Sequence, residues 1–258
     1  MKITTLLENT TKRSDLQAEH GLSLYIETDS HKILFDMGQT ELFAKNAETL
    51  GIDLSEADIA VLSHGHYDHG GGLRKFLDIN RRAPIYMSPY AFLPHYNGSE
   101  KYIGLDTSLA SDPRIVFTDG IYEIDSSLRL FSCNDREREY HFDNFGLSEM
   151  KDGRPVPDGF RHEQYLLIEE NGKHILFSGC SHKGILNIMD WFAPDVLIGG
   201  FHFSKIPLGE ELENMAKTLA RYPTVFYTCH CTGNEQLEFM RRYMPNLHGI
   251  SCGQSIVI

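Results

Sequence analysis

Residues 63–73 read Ser63-His64-Gly65-His66-Tyr67-Asp68-His69-Gly70-Gly71-Gly72-Leu73, directly after the apolar run Ile59-Ala60-Val61-Leu62. Three imidazoles and a carboxylate fall within six residues. Side chains of this kind are costly to bury at such density unless a cation pairs with them. Imidazole nitrogen and carboxylate oxygen suit a divalent metal: zinc first, with iron and manganese as alternatives. One histidine in a loop is usually solvated or hydrogen-bonded. Histidines at i, i+2 and i+5, with an aspartate at i+4 and three closing glycines, need a shared reason. The apolar run reads as a short buried strand, and α/β folds place their chemistry at the C-terminal ends of such strands.

The chain has 258 residues, enough for one large α/β domain. With 41% hydrophobic and 23% charged residues it is composed like an ordinary soluble globular protein. No apolar run is long enough to cross a bilayer, so no membrane partner is expected. The first nine residues lack the apolar core and small-residue cleavage site of a signal peptide, so a cytoplasmic location is expected. A net charge of −12 argues against nucleic acid, which needs a basic surface, and leaves a small molecule as the expected partner. The five cysteines are Cys133, Cys180, Cys229, Cys231 and Cys252. An odd number without a secretion signal does not read as a disulfide framework, so thiols near histidines are read as ligands or active-site walls.

Alternation predicts a hairpin from strands 22–27 and 32–36, and a second from 164–169 and 174–178 around Asn171-Gly172. Helical spacing marks residues 40–50, 184–191, 210–221 and 235–243, and a helix starting within 73–77. Short buried strands are expected at 59–62, 196–198 and 224–227, and a terminal strand at 254–258. Residues 90–160 read differently: strands at 121–124 and 128–132, and otherwise long loops of the kind that cover active sites. Four strands end in loops bearing His or Cys: His64/His66/His69, Cys180/His182, His202 and Cys229/His230/Cys231. One metal pocket at a shared sheet edge accounts for all four.

Leu62-Ser63-His64-Gly65-His66-Tyr67-Asp68-His69 resembles the His-x-His-x-Asp-His signature of the metallo-β-lactamase superfamily, and Phe35-Asp36-Met37-Gly38 resembles its strand-Asp-x-Gly element. With Glu19-His20-Gly21-Leu22-Ser23, Gly179-Cys180-Ser181-His182, Gly199-Gly200-Phe201-His202 and His230-Cys231-Thr232-Gly233, the pattern is similar to the dihydropterin/ribofuranosylaminobenzene 5′-phosphate synthase-like branch of metal-dependent hydrolases. The resemblance implies an α/β fold, a four-layer αββα sandwich spanning 1–258 with a loop-rich lid at about 90–160, and a two-metal site at one edge of the sheets.

By that resemblance His64 and His66 hold the first metal, and Asp68 and His69 the second, with His230 as the last ligand. A later histidine completes the first metal. His162 matches by position, and Glu163 is the alternative. Cys180 stands where the fold has a bridging aspartate; thiolate is a good zinc ligand, and either Cys180 or His182 serves there. His202 binds metal or substrate. Strand alternation points Cys229 and Cys231 away from His230, favouring packing roles. His20 and His95 read as surface or lid residues.

The expected activity is hydrolysis of a small anionic ester, amide or phosphoester by a metal-bound hydroxide, with two divalent ions, zinc first. Asp68 orients the nucleophile, and His182 or His202 assists the leaving group. The alternative is a synthase-like transferase releasing pyrophosphate; a second alternative is a redox-active di-iron protein. Oligomeric state and substrate are not legible.

Overall fold

Along Leu24-Tyr25-Ile26 and Ile33-Leu34-Phe35, neighbouring side chains enter different cores. Tyr25 and Leu34 pack on one side of the sheet, while Leu24, Ile26, Ile33 and Phe35 pack on the other. The same alternation separates Leu167 and Leu176 from Leu166, Ile168, Ile175 and Phe177. Side chains of a strand alternate between its two faces, so a sheet apolar on both faces must be covered twice. That requirement produces the layers.

In the computed structural model, which describes residues 1–258, the first seven-stranded sheet runs in the order Ser255–Val257, Lys2–Leu7, Ser23–Glu27, Lys32–Phe35, Ile59–Val61, Ile85–Met87, Ile115–Phe117. The second runs Leu247–Gly249, Val225–Thr228, Val196–Ile198, Lys173–Phe177, Tyr165–Glu170, Leu128–Phe131, Ile121–Glu123. Their inner faces share one core, where the Phe35 and Phe177 rings lie 5.8 Å apart. Helices Leu42–Thr49 and Leu73–Ile79 cover the outer face of the first sheet. Helices Ile185–Phe192, Glu210–Leu219 and Asn234–Met240 cover the second. The architecture is the expected αββα sandwich.

Strands 32–35, 59–61, 85–87 and 115–117 are mutually parallel, as are 173–177, 196–198, 225–228 and 247–249. Parallel neighbours bring successive strand ends to one edge. This is why histidines far apart in sequence meet. Both expected hairpins form; Asn171 and Gly172 take φ values of 53° and 74°, the left-handed pair that a tight two-residue turn demands.

Residues 90–160 depart from the loop reading. Strands Arg154–Pro157, Leu147–Lys151, His95–Asn97 and Lys101–Tyr102 build a third, four-stranded sheet, and Asp152-Gly153 turns one of its hairpins. Its strands are short, charged and proline-bearing, with only a small apolar cluster of Ile103, Leu147 and Phe160 beneath them. No apolar alternation could announce it.

One side chain joins the two large sheets just behind the His-rich loop. Buried Gln164 donates to the carbonyls of Leu62 (2.9 Å) and Tyr86 (3.1 Å) and accepts from the Thr118 hydroxyl (2.8 Å). Removing it strands buried partners. Gln164→Ala should destabilise the fold by about 1–3 kcal/mol, seen as a lower urea midpoint; an unchanged midpoint would mean that the cross-sheet bonds contribute nothing net.

Candidate metal centre

Asp36 follows strand Lys32–Phe35 in the left-handed region, at φ 58°. Its carboxylate, fully buried, accepts from the Ser63 backbone N–H (2.7 Å), the Ser63 hydroxyl (2.7 Å) and His69 Nδ1 (2.6 Å). The Ser63 hydroxyl spends its one proton on Asp36, so the 2.8 Å bond to His64 Nδ1 has the imidazole as donor. Both rings therefore carry a proton on Nδ1 and turn Nε2 toward the pocket. The second histidine wall is set similarly. His230 Nδ1 donates to Asn9 Oδ1 at 2.7 Å, and that oxygen also accepts from the Gly21 N–H.

With both Nδ1 protons committed, His69 Nε2 and His230 Nε2 face each other at 3.2 Å. Two lone pairs at that separation repel unless a cation or proton lies between them. Cys180 Sγ lies 3.2 Å from the same His69 nitrogen, and Asp68 Oδ2 lies 3.3 Å from His230 Nε2. A few ångströms away, His64, His66 and His182 bring donor atoms within 4.8 Å of one another. Their inward nitrogens, His64 Nε2, His66 Nε2 and both of His182, are buried with no hydrogen-bond partner. Orphaned polar atoms of this number are rare in folded proteins. The donor set fits metal, with nitrogen donors on one side and mixed nitrogen, oxygen and sulfur on the other.

His182 joins His64 and His66, and Phe160 stacks on it at 4.6 Å and 10°. His162 groups with His66, His95 and Asp158, their donor atoms lying within 4.8 Å of one another; its Nδ1 accepts the Gly65 N–H at 2.9 Å and its Nε2 bonds Asp158 at 3.3 Å. Glu163 accepts the backbone N–H groups of His182 and Lys183 and the Tyr165 hydroxyl. His95, read as a surface or lid residue, lies in the third sheet, where it is buried and bonds Asp158 at 2.9 Å. His20, read as a surface or lid residue, keeps an exposed ring but reaches Asp68 Oδ2 at 3.1 Å.

Cys231 also departs from expectation. His230 takes φ 50° and opens a short 3-10 turn, which breaks strand alternation and swings Cys231 into the pocket, while Cys229 stays in the inter-sheet core. His202, at φ 58°, sets its ring 4.3 Å from His182 with a buried, unpartnered Nδ1. Asp36, Ser181, His202 and His230 give each of four converging loops one non-glycine left-handed residue. Such conformations cost about 1–3 kcal/mol each and gather at functional sites. Asn9 and Asp158 carry little sequence signal, because their roles depend on partners distant along the chain.

His66, Asp68, Cys180, His182, His202, His230 and Cys231 line a cavity of about 490 Å³, with Asn97, Lys101 and Leu147 of the third sheet, the adjoining Ile103, and Lys205 completing its wall. Burial, reinforced by repulsion from neighbouring histidines, holds His64, His66 and His182 well below the ordinary histidine value and lowers His162 too. Burial works against His69 as well, yet Asp36 and Asp68 carry it above its ordinary value. Burial opposes ionisation of both pocket thiols. Cys180 is pushed well up, while Cys231, hydrogen-bonded to Cys180 and facing His202 and His230, is drawn well down.

A four-layer αββα sandwich with this donor set at its strand ends defines a metallo-β-lactamase-type protein. The chain belongs to the metallo-β-lactamase superfamily, whose family model matches residues 16–228. Among individual relatives, an uncharacterized protein of Methanocaldococcus jannaschii is 30% identical over 258 residues, covering 96% of each chain. The 7,8-dihydropterin-6-methyl-4-(β-D-ribofuranosyl)-aminobenzene-5′-phosphate synthase of the same organism is 28% identical, covering 99% of this chain and 96% of its own. A solved structure, Tm1679, described as a metal-dependent hydrolase of the β-lactamase superfamily, superposes with a TM-score of 0.83 at 27% identity, over 100% of this chain and 99% of its own. No helix is long and apolar enough to cross a membrane.

The lowered histidines make the metal-free fold sensitive to acid. Below the ordinary value of 6.5, unfolded histidines bind protons that the buried, neutral His64, His66, His162 and His182 refuse, so stability is lost as pH falls. His69 has the opposite sign, since its raised value adds stability that is present at low pH and lost as pH rises, and it offsets one of the four. The urea midpoint of metal-free protein should drop between about pH 7 and about pH 5; a flat or rising profile would contradict four neutral buried rings.

Proposed function

We propose that this protein is a dinuclear metal-dependent hydrolase acting on a small anionic ester, amide or phosphoester. The observation that carries the reading is the pair of facing Nε2 atoms of His69 and His230, 3.2 Å apart with both Nδ1 protons committed elsewhere. In this reading His64, His66 and His182 hold one ion, and Asp68, His69 and His230 hold the other, with Cys180 beside both sets. His162 is assigned a positioning role through Gly65 and Asp158. When bound, two divalent ions lower the pKa of a water and neutralise charge building on a substrate oxygen.

The chain's own residues supply the rest. Asp36 and Asn9 fix the tautomers and aim of His69, His64 and His230. Asp68 Oδ2, within reach of His20 and His230, orients the attacking oxygen. His202, on the opposite wall, meets the leaving group. Lys101 and Lys205, on a chain of net charge −12, set two ammonium groups at the cavity rim and draw in an anion. The third sheet completes the cavity wall and restricts solvent.

Protein purified without added metal should hold two equivalents of transition metal, zinc being the first expectation. Asp36→Asn leaves one acceptor oxygen for three donors and should weaken metal binding about 10- to 100-fold. Metal content and affinity that survive both Asp36→Asn and His64→Ala would remove the basis of the reading. Lys101→Ala and Lys205→Ala should raise KM several-fold with little change in kcat; equal losses in both would place the lysines elsewhere than at the substrate. A second reading, transfer with release of pyrophosphate, is favoured by the synthase relative that aligns over 99% of this chain. Pyrophosphate formed from a dihydropterin diphosphate and an aminobenzene acceptor, without ester or phosphodiester hydrolysis, would replace the first reading with the second.

A further inference from the structure

We propose that Cys180 and Cys231 act together as a two-sulfur donor set, so that the metal position beside His230 is a thiolate site selective for thiophilic ions such as zinc or cadmium. The inference rests on the metal-centre reading above and deepens it. The donor atoms of Cys180, Cys231 and His230 lie within 4.8 Å of one another, and all three residues are buried. The Cys231 thiol also lies 3.6 Å from the Cys180 carbonyl oxygen. A second set, Cys180, His182 and His202, shares the Cys180 sulfur, and its His182 nitrogens and His202 Nδ1 have no hydrogen-bond partner. All five cysteines are free thiols, yet only Cys180 and Cys231 reach the cavity.

The chain makes room for the second sulfur. A Cβ at Gly200 would sit 2.2 Å from Cys231 Sγ, so the thiol occupies space that only glycine leaves open. Thiolate is a softer ligand than carboxylate, and two thiolates shift preference away from magnesium, calcium and manganese toward zinc. Each thiol that binds gives up its proton to solvent as the sulfur–metal bond forms; no electron is transferred.

Cobalt(II) titration of metal-free protein tests this, because thiolate ligands produce a near-ultraviolet sulfur-to-cobalt charge-transfer band that nitrogen and oxygen ligands do not. Wild-type protein and the control Cys133→Ser, altered in a buried thiol away from the cavity, should give the full band. Cys231→Ser and Cys180→Ser should each reduce it to about half, and the double variant should abolish it. Cadmium affinity should fall at least tenfold in Cys231→Ser. A full band in Cys231→Ser, with unchanged cadmium affinity, would overturn the two-sulfur site. Cobalt bound at two equivalents with no charge-transfer band would also overturn it while leaving the metal centre intact. No cobalt bound at all would remove the metal centre itself. Should Cys231→Ser fail to fold, Cys231→Ala read by the same band decides the matter.

Discussion

The Asp36 carboxylate is the interaction on which the site depends. It is fully buried, and it receives a backbone N–H, a hydroxyl and an imidazole N–H from residues of the adjacent strand end. Each donor answers a different need. The Ser63 N–H ties the His-rich loop to strand Lys32–Phe35. The Ser63 hydroxyl relays direction to His64. The His69 bond chooses the tautomer. One side chain therefore fixes the loop, two ring orientations and two proton positions. Partners of this kind behind metal-binding histidines are commonly as consequential as the histidines themselves. The left-handed backbone at Asp36 is the strain that accompanies that placement.

A second carboxylate plays a parallel part. Asp158 bonds His95 and His162, and its other oxygen accepts the Phe160 N–H; His162 in turn accepts the Gly65 N–H, and Phe160 stacks on His182. Residues 147–160 are thus tied to the His64–His66 loop through a buried polar network, not merely laid over it. The two carboxylates brace the His-rich loop, Asp36 directly at Ser63 and Asp158 through His162 at Gly65. The pocket is rigid where metal-type donors face it and cationic at its rim.

Much of this was legible in the sequence because apolar strands announce themselves and their ends are where polar clusters become conspicuous. The His64–His69 loop, the two hairpins and the helices on both outer faces follow from periodicity. The third sheet does not, since its charged and proline-bearing strands carry no apolar alternation. The surroundings of His162, Cys180 and His182 are equally hidden: their contacts to Gly65, His69 and the His64–His66 pair are made across the fold and leave no periodic mark. Cys231 was misdirected by the assumption that strand alternation continues through His230, where the backbone turns left-handed. His20 and His95 are defined by contacts made across the fold, 48 residues away to Asp68 and 63 residues away to Asp158.

The donor set is drawn from both sheets. His64, His66, Asp68 and His69 come from a strand end of the first, and Cys180, His182, His202 and His230 from strand ends of the second. An ion held between them is a cross-link between the two halves of the sandwich, and its binding energy adds directly to the cohesion of the fold. The inter-sheet core then has a polar clasp at one edge. Chelation would loosen the molecule first along that seam, so that depletion of metal becomes a route to proteolysis as well as to loss of chemistry.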